Sequence, residues 1–254
     1  MKAKRRKSIL VVNDDGIYGQ GLQPLARALE PLGQVTVVVP EHERSAASQS
    51  ITLHKPIRVR HLHDSTYIMN GTPADCVRFG VITILKERVD VVVSGVNRGA
   101  NMGSDIFYSG TVGAAREGCM LGFSSVAVSL ARVKKGHFDV AAQFTRRLVE
   151  GLLSKPLPQS VCLNVNVPDL PASRLRGVEA THLGKRIYGR VMTSRVDPRG
   201  ETYHWLAGAV PRGLAVPGSD IAAVRHGKIS VTPLRLDMTD KDALADWAHL
   251  AAWK

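Results

Sequence analysis

Short apolar runs, each ended by turn-forming residues, recur along the first two thirds of the chain. Runs rich in β-branched residues and closed by Pro, Gly or Asn are typical of strands that are buried on both faces. The pattern predicts strands over residues 8–12, 34–39, 89–93, 125–130 and 161–167.

Segments with apolar residues at helical spacing lie between these runs. Leu22, Leu25, Leu29 and Leu32 mark one face of a helix that Gly33 closes, and further helices are predicted over 111–121 and 138–153. Because strands that alternate with helices form right-handed crossovers, we expect an α/β fold. Its layered, mostly parallel, Rossmann-like sheet should carry helices on both faces.

The pattern changes after about residue 170. Residues 186–205 alternate in polarity and are interrupted by Asp197-Pro198-Arg199-Gly200, which predicts a β-hairpin. Thr239 and Asp242 resemble a capping box that opens a final helix over 239–253, with an apolar face of Leu244, Trp247 and Leu250. We interpret this C-terminal extension, about 184–254, as oligomerisation arms on a single domain that spans 8–254.

Composition excludes some classes of protein and charge favours others. With 44% hydrophobic and 22% charged residues, the chain is neither disordered nor fibrous. The formal net charge of +12 favours anionic partners such as nucleic acid, a membrane surface or phosphorylated small molecules. Five positive charges form a separate basic arm over residues 1–7: Lys2, Lys4, Arg5, Arg6 and Lys7.

Targeting signals and cysteine motifs are weak. The apolar run after the basic arm stops at Asn13, too early for a signal peptide, and no run is long enough to span a membrane, so we expect a cytoplasmic protein. Cys76, Cys119 and Cys162 lack metal-binding spacing and are expected to be buried free thiols.

The candidate chemistry lies just after the predicted strands, where ligands bind in open α/β sheets. Asp14 and Asp15 follow the first strand, hydroxyl groups lie in the loop 41–48, and Asn97 and Asn101 lie in the loop after the third. Two carboxylates, a hydroxyl and an amide oxygen form an all-oxygen ligand set suited to Mg²⁺ or Mn²⁺. Ser109-Gly110-Thr111 opens a helix and is a candidate anion site.

Simpler or rival interpretations exist for each feature. The Asp pair could cap a helix or form a turn. Gly19-Gln20-Gly21, with Glu41 further on, half resembles a dinucleotide-binding fingerprint, but Pro24 replaces its third glycine. The contiguous Asp pair also lacks the spacing of haloacid dehalogenase phosphatases. The basic surface leaves a nucleic-acid-binding protein as the competing class.

Several motifs, in order, resemble the SurE (survival protein E) family of 5'/3'-nucleotidases. They are Asn13-Asp14-Asp15-Gly16, the loop 40–48 with Arg44-Ser45, the segments 70–76 and 94–97, Tyr108-Ser109-Gly110-Thr111-Val112, and the segments 164–168, 197–200 and 231–234. Departures are Glu41 where Asp is usual, Tyr18-Gly19-Gln20 where Ala-Pro is common, and the basic arm.

The resemblance implies a metal-dependent phosphomonoesterase acting on nucleoside monophosphates, with short polyphosphate as a further substrate in some members. It implies one Mg²⁺ or Mn²⁺ per subunit, held by Asp14, Asp15, Ser45 and Asn97. It also implies homodimers or homotetramers that exchange the C-terminal arms, with no membrane partner and no specific nucleic acid.

Our hypothesis for the reaction follows from this set. Ser109, Gly110, Thr111 and Asn101 would hold the phosphate while charge builds on its oxygens. Asp14 and Asp15 are the catalytic candidates, and either carboxylate could act as general base or as nucleophile.

Overall fold

The computed structural model describes residues 5–131, 133–189, 191–207 and 212–252. Its strands are β1 Ser8–Val12, β2 Gln34–Pro40, β3 Val59–His63, β4 Thr66–Met69, β5 Val91–Arg98, β6 Ser124–Ala131, β7 Val161–Pro168, β8 Val178–Ala180, β9 Lys185–Ile187, β10 Val191–Val196, β11 Thr202–Ala207, β12 Arg212–Leu214 and β13 Ile229–Arg235. Its α-helices are α1 Leu22–Leu29, α2 Pro73–Phe79, α3 Gly110–Met120, α4 Phe138–Ser154 and α5 Asp220–Arg225.

One large sheet organises the described part of the chain. Its nine strands run in the order β3-β4-β2-β1-β5-β6-β7-β13-β8. The six from β4 to β7 are parallel, whereas β3 is antiparallel to β4 and β13 is antiparallel to β7. The carboxyl ends of β2, β1 and β5 therefore meet at one edge.

Helices cover both faces of this sheet, as the pattern predicts. Ile9 and Val11 belong to a core cluster with residues of α1 and α4, and Leu10 and Val12 belong to a second cluster with residues of α2 and α3. Since neighbouring residues of a strand point to opposite faces, β1 is covered on both sides. The α/β fold class is thus confirmed.

Several element boundaries differ from the prediction. α1 ends at Leu29 and a 3₁₀ turn over Glu30–Leu32 follows, because Pro31 lacks the amide hydrogen that would continue the helix. β5 runs on to Arg98, with a register shift between Ser94 and Asn97, so Asn97 lies in the strand rather than in a loop.

The C-terminal hairpin forms, but the tail differs from the prediction. β10 pairs with β11 around the predicted turn, and β9 pairs with β12. The predicted Thr239 capping box is wrong, because the backbone N–H groups of Asp242 and Ala243 donate to Asp240 instead. The helix after it is a 3₁₀ helix over Ala243–Ala252. Trp253, at the end of the predicted tail helix, lies outside the described residues.

The described part of the basic arm is bound to the opposite, amino-terminal edge of the sheet. Arg5 and Lys7 form ion pairs with Asp90, and Arg6 donates to the carbonyl of Gly33. Lys2 and Lys4 lie outside the described residues. The three cysteines are free and buried, as expected. In the described part, no helix is both long and apolar enough to cross a membrane.

Candidate active site

A polar cavity of about 790 Å³ opens at the carboxyl edge of the sheet. It is lined by six of the predicted site residues: Asp14, Asp15, Ser45, Asn97, Asn101 and Ser109. Residues from four separate segments thus meet in one place. Gly110 and Thr111 lie behind this lining.

The loop after β1 is shaped by Asn13. The buried Asn13 side chain donates to the carbonyl of Gly16 (2.8 Å) and accepts from the N–H of the same residue (3.1 Å). Gly16 has a φ of 77°, a conformation that glycine adopts without strain. This reciprocal clamp fixes the turn that carries Asp14 and Asp15.

Asp14 is buried, with 5% of its surface exposed, and held from two sides. Thr111 donates its hydroxyl to Asp14 Oδ1 (2.5 Å), and Arg44 donates its backbone N–H to the Asp14 carbonyl (2.8 Å). Burial raises the pKa of Asp14 to about 6; the Thr111 bond offsets part of this effect, and the charge of Asp15 adds to it. The Thr111 hydroxyl therefore orients Asp14 in this structure.

Asp15 is less buried and faces a second acidic side chain. Burial raises its pKa, the backbone N–H of Arg98 (3.3 Å from Oδ2) lowers it, and the charge of Glu43 raises it again. The cavity thus concentrates negative charge that the surrounding side chains only partly neutralise. A bound cation would relieve this repulsion.

Ser45 lies on the exposed part of the loop that follows β2. Its hydroxyl donates to Glu43 Oε1 (2.5 Å), so the lone pairs of Oγ remain available to coordinate a ligand. The loop is anchored further along by Ser48, which donates its backbone N–H to Tyr108 and its hydroxyl to Phe107.

The segment 70–76 supplies another anchor for this loop. Thr72 caps α2 in a capping box with Asp75. The buried Asp75 carboxylate also accepts from the backbone N–H (3.0 Å) and the hydroxyl (2.6 Å) of Thr52. Burial alone would raise the pKa of Asp75, but the bonds from Thr52 and Thr72 outweigh it and hold the pKa below its usual range.

We expect Asp75→Asn to destabilise the fold by about 1–3 kcal/mol at pH 7, because an amide cannot accept all of these bonds. Because the pKa of Asp75 is lower in the folded protein than in the unfolded chain, where it is near 3.9, the ionised carboxylate stabilises the fold at pH values above the unfolded-state pKa. This stabilisation is lost as the pH falls through the folded-state pKa. The difference from the parent protein should therefore shrink at pH 3. Urea unfolding at both pH values tests this; an unchanged difference would contradict it. Asp64→Asn, at an exposed carboxylate, is the control.

Asn97 and Asn101 reach the cavity from β5 and the segment that follows it. Asn97 donates Nδ2 to the Gly99 carbonyl (3.0 Å), so its Oδ1 is the atom available to a cation. Asn101 is held by buried polar groups of β6 and β7: Ser129 accepts from its side chain, Asn166 accepts from its backbone N–H, and Asn164 and Asn166 donate to its carbonyl. The motif 164–168 thus fixes the backbone of Asn101 at the cavity through hydrogen bonds.

The start of α3 forms the remaining wall. The Ser109 hydroxyl accepts from the N–H of Val112 (3.1 Å), so it is the N-cap of the helix as well as a lining residue. Gly110 lies directly against Asp14: a Cβ at this position would be 2.9 Å from Asp14 Cβ and 3.0 Å from Oδ2.

Further residues of the cavity escaped the sequence prediction. Glu43, Asp105, Tyr108 and Tyr188 line it, as does Tyr18, which the sequence singled out as a departure from the family pattern. Tyr188 follows strand β9 of the C-terminal extension, and no local pattern links it to the strand ends. Gly19 and Gly21, which half resemble a dinucleotide-binding fingerprint, lie where the backbone packs closely against neighbouring residues. A Cβ on Gly21 would be 2.1 Å from the Val96 carbonyl oxygen.

Comparisons with known proteins identify the family of this chain. The family model for "Survival protein SurE" matches residues 9–190. The chain belongs to the SurE family. Among SurE relatives, "5'-nucleotidase SurE" of Geobacter sulfurreducens is 48% identical over 239 residues, which are 94% of this chain and 91% of that protein. "5'-nucleotidase SurE" of Vibrio cholerae is 44% identical over 249 residues, 98% of this chain and 94% of that protein.

A solved SurE structure has the same fold. The crystal structure of the SurE protein from Aquifex aeolicus superposes with a TM-score of 0.85 at 37% identity, covering 96% of this chain and 99% of that chain. Family membership, which the motifs suggested, is thereby confirmed, and all of the predicted site residues lie within the matched range.

Proposed function

We propose that this SurE-family chain is a metal-dependent phosphomonoesterase that hydrolyses nucleoside 5'- and 3'-monophosphates to nucleoside and phosphate. Short polyphosphate would be a further substrate. The observation that carries the proposal is the meeting of Asp14, Asp15, Ser45 and Asn97 in one cavity beside the start of α3. The names of the curated relatives support the nucleotidase class.

The donor set fits a hard divalent cation. Two carboxylates, one hydroxyl and one amide oxygen are the ligand types that Mg²⁺ and Mn²⁺ accept, and they leave positions for water and substrate. Within the described residues, no group of three or more His, Cys, Asp or Glu side chains is arranged to hold a metal ion. The two carboxylates of Asp14 and Asp15 would therefore need the neutral oxygens of Ser45 and Asn97 to complete the proposed cation site. A bound Mg²⁺ or Mn²⁺ would supply Lewis acidity to the phosphoryl oxygens.

The chain itself would position the phosphate and handle the proton. Ser109 and Asn101 face the cavity as hydrogen-bonding groups, and the backbone N–H groups of Gly110 and Thr111 at the start of α3 favour an anion. Thr111 also fixes the Asp14 carboxylate through its hydroxyl. Asp14 or Asp15 would act as the general base that takes a proton from water, or as the nucleophile that attacks phosphorus.

Phosphate release tests this function. The purified protein with Mg²⁺ or Mn²⁺ should release phosphate from 5'-AMP, 3'-AMP and tripolyphosphate, and EDTA should abolish the release until metal is restored. Phosphate release that persists in EDTA would contradict the metal requirement. Absence of release with every metal and substrate, together with salt-sensitive retention of an oligonucleotide, would favour a nucleic-acid-binding protein instead.

Self-association through the C-terminal arms belongs to the same proposal. Trp205 and Leu206 are neighbours on β11, and both are exposed. Because successive strand residues point to opposite faces, both faces of the hairpin are uncovered in the single chain. A second and further copy would bury them in a homodimer or homotetramer.

Replacing Trp205 and Leu206 together by Ser should lower the assembly mass, since the buried apolar area would be lost. Light scattering after size-exclusion chromatography measures the mass, and Ile82→Ser, at another exposed apolar side chain, is the control. A monomeric parent protein, or an unchanged mass in the double variant, would contradict this role. We also propose a cytoplasmic location for this nucleotidase.

A further inference from the structure

Three of the chain's five tyrosines line the candidate active-site cavity. Tyr18, Tyr108 and Tyr188 expose 93%, 60% and 40% of their surfaces. They come from the loop after β1, the residue before the α3 cap, and the segment after β9. Exposed aromatic side chains gathered at one cavity are typical of a binding surface rather than of a core.

The ring of Tyr188 is held in place from the C-terminal extension. Its hydroxyl donates to Asp105 Oδ1 (2.5 Å), and Arg186 donates Nε to Asp105 Oδ2 (2.7 Å). The Tyr108 and Tyr188 rings lie edge to face, with centroids 6.1 Å apart and planes at 81°. Because the Tyr188 hydroxyl is engaged, the ring is the part of this side chain left to contact a ligand.

Two of the tyrosines are close in sequence to the groups proposed to hold the cation and phosphate. Tyr18 is three residues after Asp15, and Tyr108 directly precedes Ser109. The cavity therefore combines charged and hydrogen-bonding groups with aromatic rings. A substrate that matches both must carry a phosphate and a flat aromatic group, and a nucleotide carries both.

We propose that Tyr18, Tyr108 and Tyr188 form a subsite that stacks on the nucleobase of the substrate. This inference rests on the proposed phosphomonoesterase function and deepens it. Stacking uses the π face that every base has, so the subsite would select nucleotides over sugar phosphates while accepting purines and pyrimidines alike.

The test compares 5'-AMP with ribose 5-phosphate, which lacks the base. The measured quantity is the ratio of kcat/KM for these two substrates, in the parent protein and in Tyr18→Ala, Tyr108→Ala and Tyr188→Ala. We expect the parent to prefer AMP by at least about tenfold, and the ratio to fall by about tenfold when stacking is removed. Tyr188→Phe, which keeps the ring and loses the bond to Asp105, should retain most of the ratio.

Tyr203→Ala is the matched control, because Tyr203 is as exposed as Tyr188 but lies on the hairpin strand β11. Its ratio should equal that of the parent. A parent protein that hydrolyses both substrates equally, or alanine variants that lose both activities in the same proportion, would overturn the subsite. If the parent hydrolyses neither substrate, the proposed function itself fails, and the two failures are thus distinguishable.

Discussion

Asp14→Asn and Asp15→Asn should each lower kcat/KM for 5'-AMP by at least about 10³-fold, which corresponds to about 4 kcal/mol of transition-state stabilisation. Each substitution removes a negative charge from the cation site while keeping the shape of the side chain. In Asp14→Asn, the amide oxygen can still accept the Thr111 hydroxyl, so the local structure should persist.

Stability provides the second readout for these variants. Burial raises the pKa of Asp14 to about 6, so the ionised carboxylate destabilises the metal-free fold at pH 7. The neutral Asn side chain removes that cost, and the unfolding temperature of metal-free Asp14→Asn should equal or exceed that of the parent. Asp64→Asn, at an exposed carboxylate, should change neither quantity. Full activity in either site variant would rule out the proposed role of that carboxylate.

Gly110→Ala should lower kcat/KM by about 100-fold, because the added methyl would lie 2.9 Å from Asp14 Cβ and displace the carboxylate. Shifts of about 1 Å in a reacting group can have effects of this size. Gly110 opens α3 and is not in a left-handed conformation, so backbone strain does not explain the expected loss.

The matched control is Gly151→Ala, another helical glycine, whose added methyl would have no neighbour within 4 Å. It should leave activity unchanged and raise stability by up to about 1 kcal/mol, since Ala has the higher helix propensity. Steady-state kinetics and thermal unfolding of both variants separate the two effects. Similar activity in Gly110→Ala and the parent would show that Asp14 tolerates displacement.

The central part of the fold could be predicted from the sequence because its signals are local. Each of the five apolar runs overlaps a strand of the parallel sheet, although β5 begins at Val91 rather than at Val89, and the helix over 138–153 was found at Phe138–Ser154. The wrong tail cap has a local cause as well, since three aspartates compete nearby and Asp240 supplies the acceptor instead of Thr239. The strands β4 and β8 and the helix α5 are short, so their periodicity was too weak to predict them. The seven-residue strand β13 contains Pro233, which weakens a strand pattern.

The candidate site also contains residues that the sequence predicts and contacts that it does not. Asp14 and Asp15 follow β1, Ser45 lies in the loop after β2, and Asn97 lies near the end of β5. The order of these strands brings the four residues to one cavity, which is what their strand-end positions predict. Asp105 and Tyr188 meet through a contact between residues 83 positions apart, which no sequence pattern indicates. The support of Asn101 by Asn164 and Asn166 likewise depends on the pairing of β6 with β7.

The most direct test of the metal site is the anomalous scattering of Mn²⁺ in crystals of the protein grown with Mn²⁺ and phosphate. We predict one manganese peak per chain, within coordination distance of Asp14, Asp15, Ser45 and Asn97, with phosphate density beside the start of α3. Manganese bound elsewhere, or a cavity without manganese in crystals of active protein, would contradict the account.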